Sequence, residues 1–368
     1  MQSEYLFPRR QTRRDFLAST SAATVVTWAG ANCLAADEKP VTIGSGKCAY
    51  TLDANWGQLA GDMKYGFGCA VVVDGQDRIF VTSRSQNPCV AIFDASGKLL
   101  ETWSKDFSDK VGLANPGQVS ATAHGLYWSK EGDQEFLYWT ENSAPGGLGA
   151  RVYKTDLQGK VLYTLGNVKE ENEKSQKFRT IKVDGKDVNC FTNPTDVAVA
   201  SNGDIYIVDG YGSQYVHRFD KDFKHLKSIG GKGGEHGKFN TCHGVWISTL
   251  KKDPEVWIAD RANNRIEIYS PELEYKRTIP GVRNPCCFYQ HNGLMYVPEL
   301  AARVSLIDEN DKIVASIGDG AGANKAETDK HPDKFFTPHA LTLDSKGNLY
   351  VIEWLANGRP RKFAPTPA

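Results

Sequence analysis

Short apolar segments separated by polar turns recur six times along the chain and predict an all-β repeat protein. Each repeat contains a β-rich segment of five residues, usually ending in an acidic residue, at 79–83, 137–141, 205–209, 256–260, 295–299 and 349–353. Turn sequences such as Asn202-Gly203-Asp204 precede these segments, which is typical of hairpins. Because a further strand such as 216–220 follows and no long amphipathic helix competes, the pattern predicts the blades of a six-bladed β-propeller.

The two ends of the repeat region predict how the ring closes. The last unit stops after its third strand, near 361–363, whereas an additional β-rich segment at 50–52 precedes the first unit. An open ring would expose a sheet edge, so we expect the N-terminal strand to complete the sixth blade. The charged segment 169–187 is predicted to be a solvated surface loop between blades two and three. The sequence therefore predicts one propeller domain at 37–368.

The first 36 residues have the features of a targeting segment. The basic segment 12–17 resembles a twin-arginine (Tat) export signal, and a weakly apolar stretch follows at 18–30. Small residues at 35–36 suit a signal peptidase, so the mature chain is predicted to start near Asp37. The alternative, a membrane anchor, requires a longer and less polar stretch. We expect the Tat machinery to deliver a protein without a membrane span to the periplasm or the exterior.

Composition and charge narrow the possible partners. Hydrophobic residues make up 40% of the chain, and basic and acidic side chains are equal in number at 44 each. This balance creates no field that attracts polyanions, so we expect neither a nucleic acid nor an anionic membrane as a partner. Of eight cysteines, all except Cys33 remain after signal removal, and none lies in a CxxC pair. Disulfides are possible outside the cytoplasm, and the spacing leaves their pairing open.

Alignment of the first strands reveals a column of histidines. In units one to six the aligned position holds Cys69, His124, Thr195, His243, Cys286 and His339. Histidine thus occurs on alternate blades, and the innermost strands of a propeller begin near its axis. We therefore expect His124, His243 and His339 to converge on one metal ion and to leave a fourth ligand position open. Three protein ligands with an open position are typical of a catalytic zinc site.

A single histidine at this position has an alternative role, a hydrogen bond to the backbone of the neighbouring blade. Three of the chain's eight histidines in threefold register favour a metal site instead. The remaining five are predicted to be solvated in outer strands or loops: His217, His225, His236, His291 and His331.

A second column follows the second strands, at the rim of each blade. It holds Arg84, Asn142, Gly210 with Tyr211, Arg261, Leu300 and Trp354. We expect Arg84, Tyr211 and Arg261 to surround the same mouth as the histidines. Arginine binds carboxylates in a bidentate manner, and a tyrosine beside a dication and arginines has its phenolate favoured, as a general base requires. For Arg261 a salt bridge between blades is the alternative.

A third column is acidic and is interpreted as structural, because such carboxylates can bond the turns of adjacent strands. It holds Glu141, Asp209, Asp260, Glu299 and Glu353.

At these residues the chain resembles the NHL-repeat propellers and, among them, the peptidyl-α-hydroxyglycine α-amidating lyases (peptidylamidoglycolate lyases). The resemblance spans 68–363 and is clearest at 194–211 and 239–266, with Phe336-Thr337-Pro338-His339 matching a further segment. It implies that the three column histidines hold zinc, that the rim tyrosine is the base, and that the two rim arginines bind the substrate carboxylate. The implied reaction breaks the carbinolamide C–N bond of a small-molecule or peptide substrate and releases an amide and glyoxylate.

The chain departs from this family beside the third histidine. Where the family has an acidic residue that holds calcium, this chain has Ala340, so calcium at the axis is in doubt. Two other functions stay open. One is a non-enzymatic propeller that binds a protein or glycan on its rim, which leaves the histidine column unexplained. The other is a propeller hydrolase with another substrate, whose acidic ring around calcium suits neither His124 nor His339.

Overall fold

The computed structural model describes residues 39–104, 107, 124–142 and 150–367, and the predicted export segment 1–36 lies outside them. The strands form six small sheets that are the blades of a β-propeller, which confirms the predicted fold. A separate two-stranded hairpin lies between blades two and three.

The first half of the propeller starts with two strands that precede blade one. These are β1 (Thr42–Ile43) and β2 (Tyr50–Asp53). Blade one contains β3–β6, at Gly68–Val73, Ile79–Ser83, Val90–Phe93 and Leu99–Trp103. Blade two contains β7–β11, at Gly125–Glu131, Gln134–Thr140, Arg151–Thr155, Val161–Gly166 and Ser175–Lys177. The hairpin is formed by β12 and β13, at Thr180–Val183 and Lys186–Asn189.

The second half contains blades three to six. Blade three contains β14–β17, at Asp196–Val199, Ile205–Val208, Tyr215–Phe219 and His225–Gly230. Blade four contains β18–β21, at Cys242–Ser248, Glu255–Asp260, Arg265–Tyr269 and Tyr275–Ile279. Blade five contains β22–β25, at Tyr289–His291, Leu294–Glu299, Arg303–Ile307 and Ile313–Ile317. Blade six contains β26–β28, at Pro338–Leu343, Leu349–Glu353 and Arg361–Pro365. Short 3₁₀ helices lie at Gly46–Cys48, Arg261–Asn263 and Lys325–Lys330.

The second strand of a blade is buried on both faces, which explains its nearly continuous apolar sequence. β4, β15 and β27 are buried at every residue. Neighbouring blades cover both faces of these strands, so successive side chains enter two interblade cores rather than alternating between core and solvent. Large aromatic rings fill the cores. Trp103 of blade one and Trp139 of blade two, for example, have ring centroids 5.8 Å apart.

The N-terminal segment closes the ring as predicted. β2 pairs with β28 in antiparallel register, with Tyr50 opposite Pro365 and Asp53 opposite Lys362, and it thereby becomes the fourth strand of blade six. Farther along, Trp56 is 3% exposed and its ring lies 5.2 Å from Phe93 of blade one. The segment therefore joins the sixth blade to the first.

Deletion of residues 37–57 is expected to cause aggregation or a large loss of thermal stability. The deletion exposes the edge of β28 and removes the buried side chains of Ile43, Tyr50 and Trp56. Each large apolar side chain contributes about 1.5–3 kcal/mol when fully buried, and an exposed edge strand pairs with other chains. Solubility and thermal unfolding check this result, with a shorter deletion of 37–40 as the control. A 37–57 deletion as soluble and stable as the control would contradict the closure.

The insertion at 169–187 corrects the predicted surface loop, because much of it is ordered. β11 adds a fifth, parallel strand to blade two, and β12 and β13 pair with each other. Phe178 and Ile181 lie within this segment and are each 7% exposed. The Phe178 ring lies 4.9 Å from that of Phe219 in blade three. The many charges predicted a solvated loop, but these two apolar residues anchor the insertion to the propeller.

His217 is buried rather than solvated, which corrects another prediction. It lies in β16 and is 0% exposed, and its Nδ1 is 2.7 Å from Oγ of Ser228. The Phe178 ring of the insertion lies 5.3 Å from its imidazole. Burial lowers the pKa of His217 to about 4, so the ring is neutral at neutral pH. The other four are at least partly exposed: His225, His236, His291 and His331.

The buried His217 is expected to make stability depend on pH. Its pKa is lower in the folded protein than the usual 6.5, so the unfolded chain takes up the proton first as the pH falls. The free energy of unfolding should therefore decrease by about 1.4 kcal/mol per pH unit from this residue between pH 6.5 and 4. Urea unfolding at pH 7 and pH 5 measures the effect. Between pH 7 and pH 5 the free energy of unfolding should decrease less for His217→Gln than for wild type. The exposed control His236→Gln should show the wild-type decrease. Equal slopes for His217→Gln and wild type would refute the assignment.

Candidate metal centre

The three column histidines come together at the axial ends of their strands. Ring centroids lie 5.1 Å apart for His124 and His243, 5.2 Å for His124 and His339, and 4.8 Å for His243 and His339. One ligand nitrogen from each ring lies within 4.8 Å of the other two. All three residues are at most 3% exposed. Alternate-blade register thus places three imidazoles around one point.

Each column histidine is held by a hydrogen bond to the blade that follows it in the ring. The Nδ1 bonds run from His124 to the Thr195 carbonyl at 2.8 Å, from His243 to Cys286 at 2.8 Å and from His339 to Cys69 at 2.6 Å. A carbonyl oxygen only accepts, so each Nδ1 carries the hydrogen and leaves the lone pair on Nε2. The interblade hydrogen bond and a metal bond therefore use different nitrogens, and one residue can make both.

The remaining nitrogen of each ring is available to a ligand. Nε2 of His124, His243 and His339 is buried and has no hydrogen-bond partner among the described residues. A buried polar atom without a partner costs about 1–3 kcal/mol, so three of them together call for a ligand. Histidines that bind zinc typically donate their other N–H to a carbonyl or carboxylate. The donor set therefore fits a transition metal ion with nitrogen ligands.

Burial keeps these three imidazoles in the form that binds metal. Desolvation is the largest cause that lowers the pKa of each, and the positive charge of Arg261 lowers all three further. The pKa of His339 falls to about 3. Metal ions bind neutral imidazole, so no proton has to leave these rings at neutral pH.

Two glycines allow the close approach of blades at the centre. Gly125 and Gly244 each follow a column histidine. A Cβ atom at Gly125 would lie 2.4 Å from the Thr195 carbonyl oxygen, and one at Gly244 would lie 2.3 Å from that of Cys286. These oxygens accept the histidine hydrogen bonds, so a side chain at either glycine would displace an acceptor.

A repeated backbone hydrogen bond fixes the rim residues beside the column. In five blades the rim N–H donates to the carbonyl of the residue two positions before the column residue. These bonds run from Arg84 to Phe67, from Tyr211 to Asn193, from Arg261 to Thr241, from Leu300 to Asn284 and from Trp354 to Thr337. The rim column therefore lies at the same mouth as the histidines.

Tyr211 and Arg261 form a pair beside two of the histidines. The Tyr211 ring lies 5.3 Å from that of His124 and 5.4 Å from that of His243. Nη2 of Arg261 donates to Oη of Tyr211 at 2.9 Å. The contact that Arg261 makes across the blades is thus to a phenol, whereas the structural alternative required a carboxylate.

The positive charges of the two arginines do not by themselves favour the Tyr211 phenolate. Burial of the phenol is the largest effect and raises its pKa, while Arg261 and Arg84 lower it by a smaller amount. The ring is nevertheless 39% exposed at the mouth, so it is accessible to a substrate. A phenolate at neutral pH therefore requires the additional positive charge of a cation beside the histidines.

Arg84 and Trp354 border the third histidine. The Trp354 ring lies 5.3 Å from that of His339, and Cζ of Arg84 lies 5.8 Å from the Trp354 ring. Nη1 of Arg84 also donates to the carbonyl of Asn142 at 3.3 Å. The sequence placed Trp354 in the rim column. Because tryptophan offers no metal-binding atom, its contact with His339 was not predicted.

The acidic column has the structural role that the sequence indicated. Asp209 accepts hydrogen bonds from the backbone N–H groups of Asn193 at 2.6 Å and Ser213 at 2.9 Å. Glu353 likewise accepts from the N–H of Phe336 at 2.6 Å. These carboxylates hold the turns that flank the second strands and so support the rim.

A cavity of about 380 Å³ runs along the axis and is lined by the three histidines and the inner strands. Ala340 lines it and supplies no side-chain oxygen. Asp196 also lines it, and its Oδ2 accepts from the N–H of Val245 at 3.1 Å. Burial raises the pKa of Asp196 to about 7.

No two of the seven cysteines in the described part of the chain form a disulfide.

The segment that carries Tyr211 matches a known repeat family. Residues 191–219 match the NHL repeat model. The chain is 24% identical to human NHL repeat-containing protein 3 over 329 residues, covering 87% of this chain and 85% of the relative. The chain is a β-propeller that contains an NHL repeat at 191–219.

The chain also shares sequence with a second relative. It is 32% identical over 162 residues to the Caenorhabditis elegans protein named "Probable peptidyl-alpha-hydroxyglycine alpha-amidating lyase", covering 43% of this chain and 39% of that protein. The solved structure of a streptogramin B lyase covers 84% of this chain and 86% of its own, with a TM-score of 0.50 and 14% identity, which shows a shared fold. Within the described ranges, every helix is too short or too polar to cross a membrane.

Proposed function

We propose that this β-propeller is a zinc-dependent lyase that cleaves the carbinolamide C–N bond of a peptidyl-α-hydroxyglycine or a related small carboxylate. The products are an amide and glyoxylate. One observation carries the proposal: three Nε2 atoms without partners converge beside the Tyr211–Arg261 pair at an accessible mouth. The partial similarity to the nematode lyase supports this choice of reaction.

The metal ion in this proposal is held by Nε2 of His124, His243 and His339. When bound, zinc supplies a Lewis acid that polarises a substrate oxygen and adds positive charge to the site. The interblade bonds from Nδ1 orient the three rings, so the ligand set is formed before the ion arrives.

Arg261 and Arg84 bind the carboxylate of the substrate. Arg261 already donates one N–H to Tyr211, and its planar guanidinium has further N–H groups for a carboxylate. Arg84 lies near the third histidine, where its Cζ is 5.8 Å from the Trp354 ring. Two arginines at one mouth orient the α-hydroxyl carbon relative to Tyr211, and this positioning lowers the barrier to reaction.

Tyr211 accepts the proton of the substrate hydroxyl. The electron pair of the O–H bond forms the C=O double bond of the glyoxylate aldehyde group. The C–N bond breaks at the same carbon, and its electron pair moves to nitrogen. The nitrogen then takes up one proton and leaves as the amide, and the proton held by Tyr211 is sufficient for this step. The reaction consumes no oxidant, reductant or water. The hydrogen bond from Arg261 stabilises the deprotonated oxygen of Tyr211.

The proposed function is tested with α-hydroxyhippurate as the substrate. Zinc-loaded protein should release benzamide and glyoxylate in equal amounts and well above the rate of the same protein stripped of metal. The stripped protein should regain activity when zinc is added back. Absence of glyoxylate above the spontaneous rate, with the metal site fully loaded, rejects the lyase function.

A further inference from the structure

The rim around the metal centre has a polar side and an apolar side. On blades one to four the rim residues are Arg84, Asn142, Tyr211 and Arg261, whereas blades five and six carry Leu300 and Trp354. Leu300 and Trp354 are anchored by the same type of backbone hydrogen bond, from the rim N–H, that anchors the two arginines. Both apolar side chains are only half-buried. Two neighbouring blades thus present apolar side chains to the same mouth.

A depression lies on this apolar side, next to the metal centre. It has a volume of about 450 Å³, and its lining combines the apolar Leu300, Ala301, Trp354 and Leu355 with polar residues that include Lys325. Trp354 connects the two sites, because it lines the depression while its ring lies 5.3 Å from that of His339. Trp354 therefore forms a border that the metal centre and the depression share.

We propose that this depression binds an apolar group on the amide side of the substrate, such as an aromatic ring or a large hydrophobic side chain. The inference rests on the proposed function. The depression lies on blades five and six, between the blades that carry Arg261 and Arg84, and Cζ of Arg84 is 5.8 Å from the Trp354 ring. A carboxylate bound by these arginines therefore holds the rest of the substrate near the depression. Leu300, Trp354 and Leu355 offer the acyl group an apolar surface beside the metal centre. The site therefore favours substrates with a bulky apolar acyl group over those with a small one.

Binding of two N-acyl glycines to zinc-loaded protein tests this inference without relying on turnover. Hippurate and N-acetylglycine share a carboxylate and an amide, and only hippurate carries a phenyl ring. Burial of much of that ring should make hippurate bind about tenfold or more tightly, as measured by titration calorimetry. The Leu300→Asp variant should reduce this ratio to near one, and Leu355→Ser, a milder change, should reduce it in the same direction.

The control is Leu226→Asp, because Leu226 is a 45% exposed leucine on the outer strand of blade three. This variant should keep the wild-type ratio, and metal content should be equal in all the proteins. Equal affinities of the two ligands for wild type, or no binding of hippurate, overturn the inference. A ratio unaffected by both depression variants also overturns it. Glyoxylate release is measured separately. Selective binding of hippurate without glyoxylate release supports the role of the depression and rejects the lyase function. Glyoxylate release without selective binding supports the lyase function and rejects the role of the depression.

Discussion

The His243→Ala variant should lose its metal while keeping its fold. Wild-type protein is expected to hold about one zinc ion per chain through three imidazoles, and removal of His243 leaves two imidazoles whose ring centroids are 5.2 Å apart. Two histidines do not complete the three-ligand set of a mononuclear zinc site, so the affinity of the protein for zinc should fall by roughly two orders of magnitude or more. Metal content after gel filtration, measured by elemental analysis, and a competition titration with a chelator check this result.

The matched control is His236→Ala, an exposed histidine that lies on the approach to the same blade. Its metal content should equal that of wild type. Circular dichroism and thermal unfolding should show that His243→Ala is folded, although the lost bond to Cys286 lowers its stability. Equal metal content in wild type and folded His243→Ala contradicts the three-histidine site.

The Tyr211→Phe variant should keep the metal and lose turnover. The phenol is not among the three nitrogen ligands, but its Oη is the atom proposed to accept the substrate proton. Loss of a general base typically lowers the rate by about 10²–10⁴-fold. Glyoxylate release from α-hydroxyhippurate at saturating substrate measures kcat, and elemental analysis confirms that zinc is retained.

The control for this variant is Tyr275→Phe, since Tyr275 is a 43% exposed tyrosine on the outer strand of blade four. It should have wild-type kcat and metal content. A pH profile adds a second readout, because a base is active only when deprotonated and the wild-type rate should rise as the pH passes the pKa of Tyr211. Full activity of zinc-loaded Tyr211→Phe would show that another group accepts the proton.

The fold and the histidine cluster could be predicted from sequence because both follow from the repeat. A propeller blade has nearly fixed geometry, so residues at equivalent positions of successive repeats lie at equivalent positions around the axis. Alignment of six first strands therefore placed His124, His243 and His339 together. The missing fourth strand of blade six predicted in the same way that residues 50–52 would close the ring.

The insertion and His217 were not predictable from the repeat because they depend on contacts outside it. The segment 169–187 has no equivalent in the other blades, and its charges obscured the two apolar anchors. Phe178 packs against His217, so the burial of this histidine depends on the insertion. An alternating Tyr215-Val216-His217-Arg218-Phe219 pattern with aromatic neighbours was the available signal.

The electrostatics of the mouth also lay beyond the sequence. Proximity of Arg261 to Tyr211 followed from the rim column, but the balance between burial and charge depends on how much water reaches the phenol. The carbonyl acceptors at Cys69, Thr195 and Cys286 were the column residues between the histidines. The sequence indicated this backbone hydrogen bond only as an alternative to metal binding, because the residue types do not show that one histidine makes the bond through Nδ1 and keeps Nε2 for a metal.

The most direct test of the metal centre is anomalous diffraction at the zinc edge from crystals of zinc-loaded protein. One strong peak is expected on the propeller axis, about 2.0–2.1 Å from Nε2 of His124, His243 and His339. The Nδ1 atoms should keep their hydrogen bonds to the carbonyls of the next blades. Absence of a peak between the three imidazoles, or a peak bound by other residues with the three Nε2 atoms left without a ligand, would contradict the account.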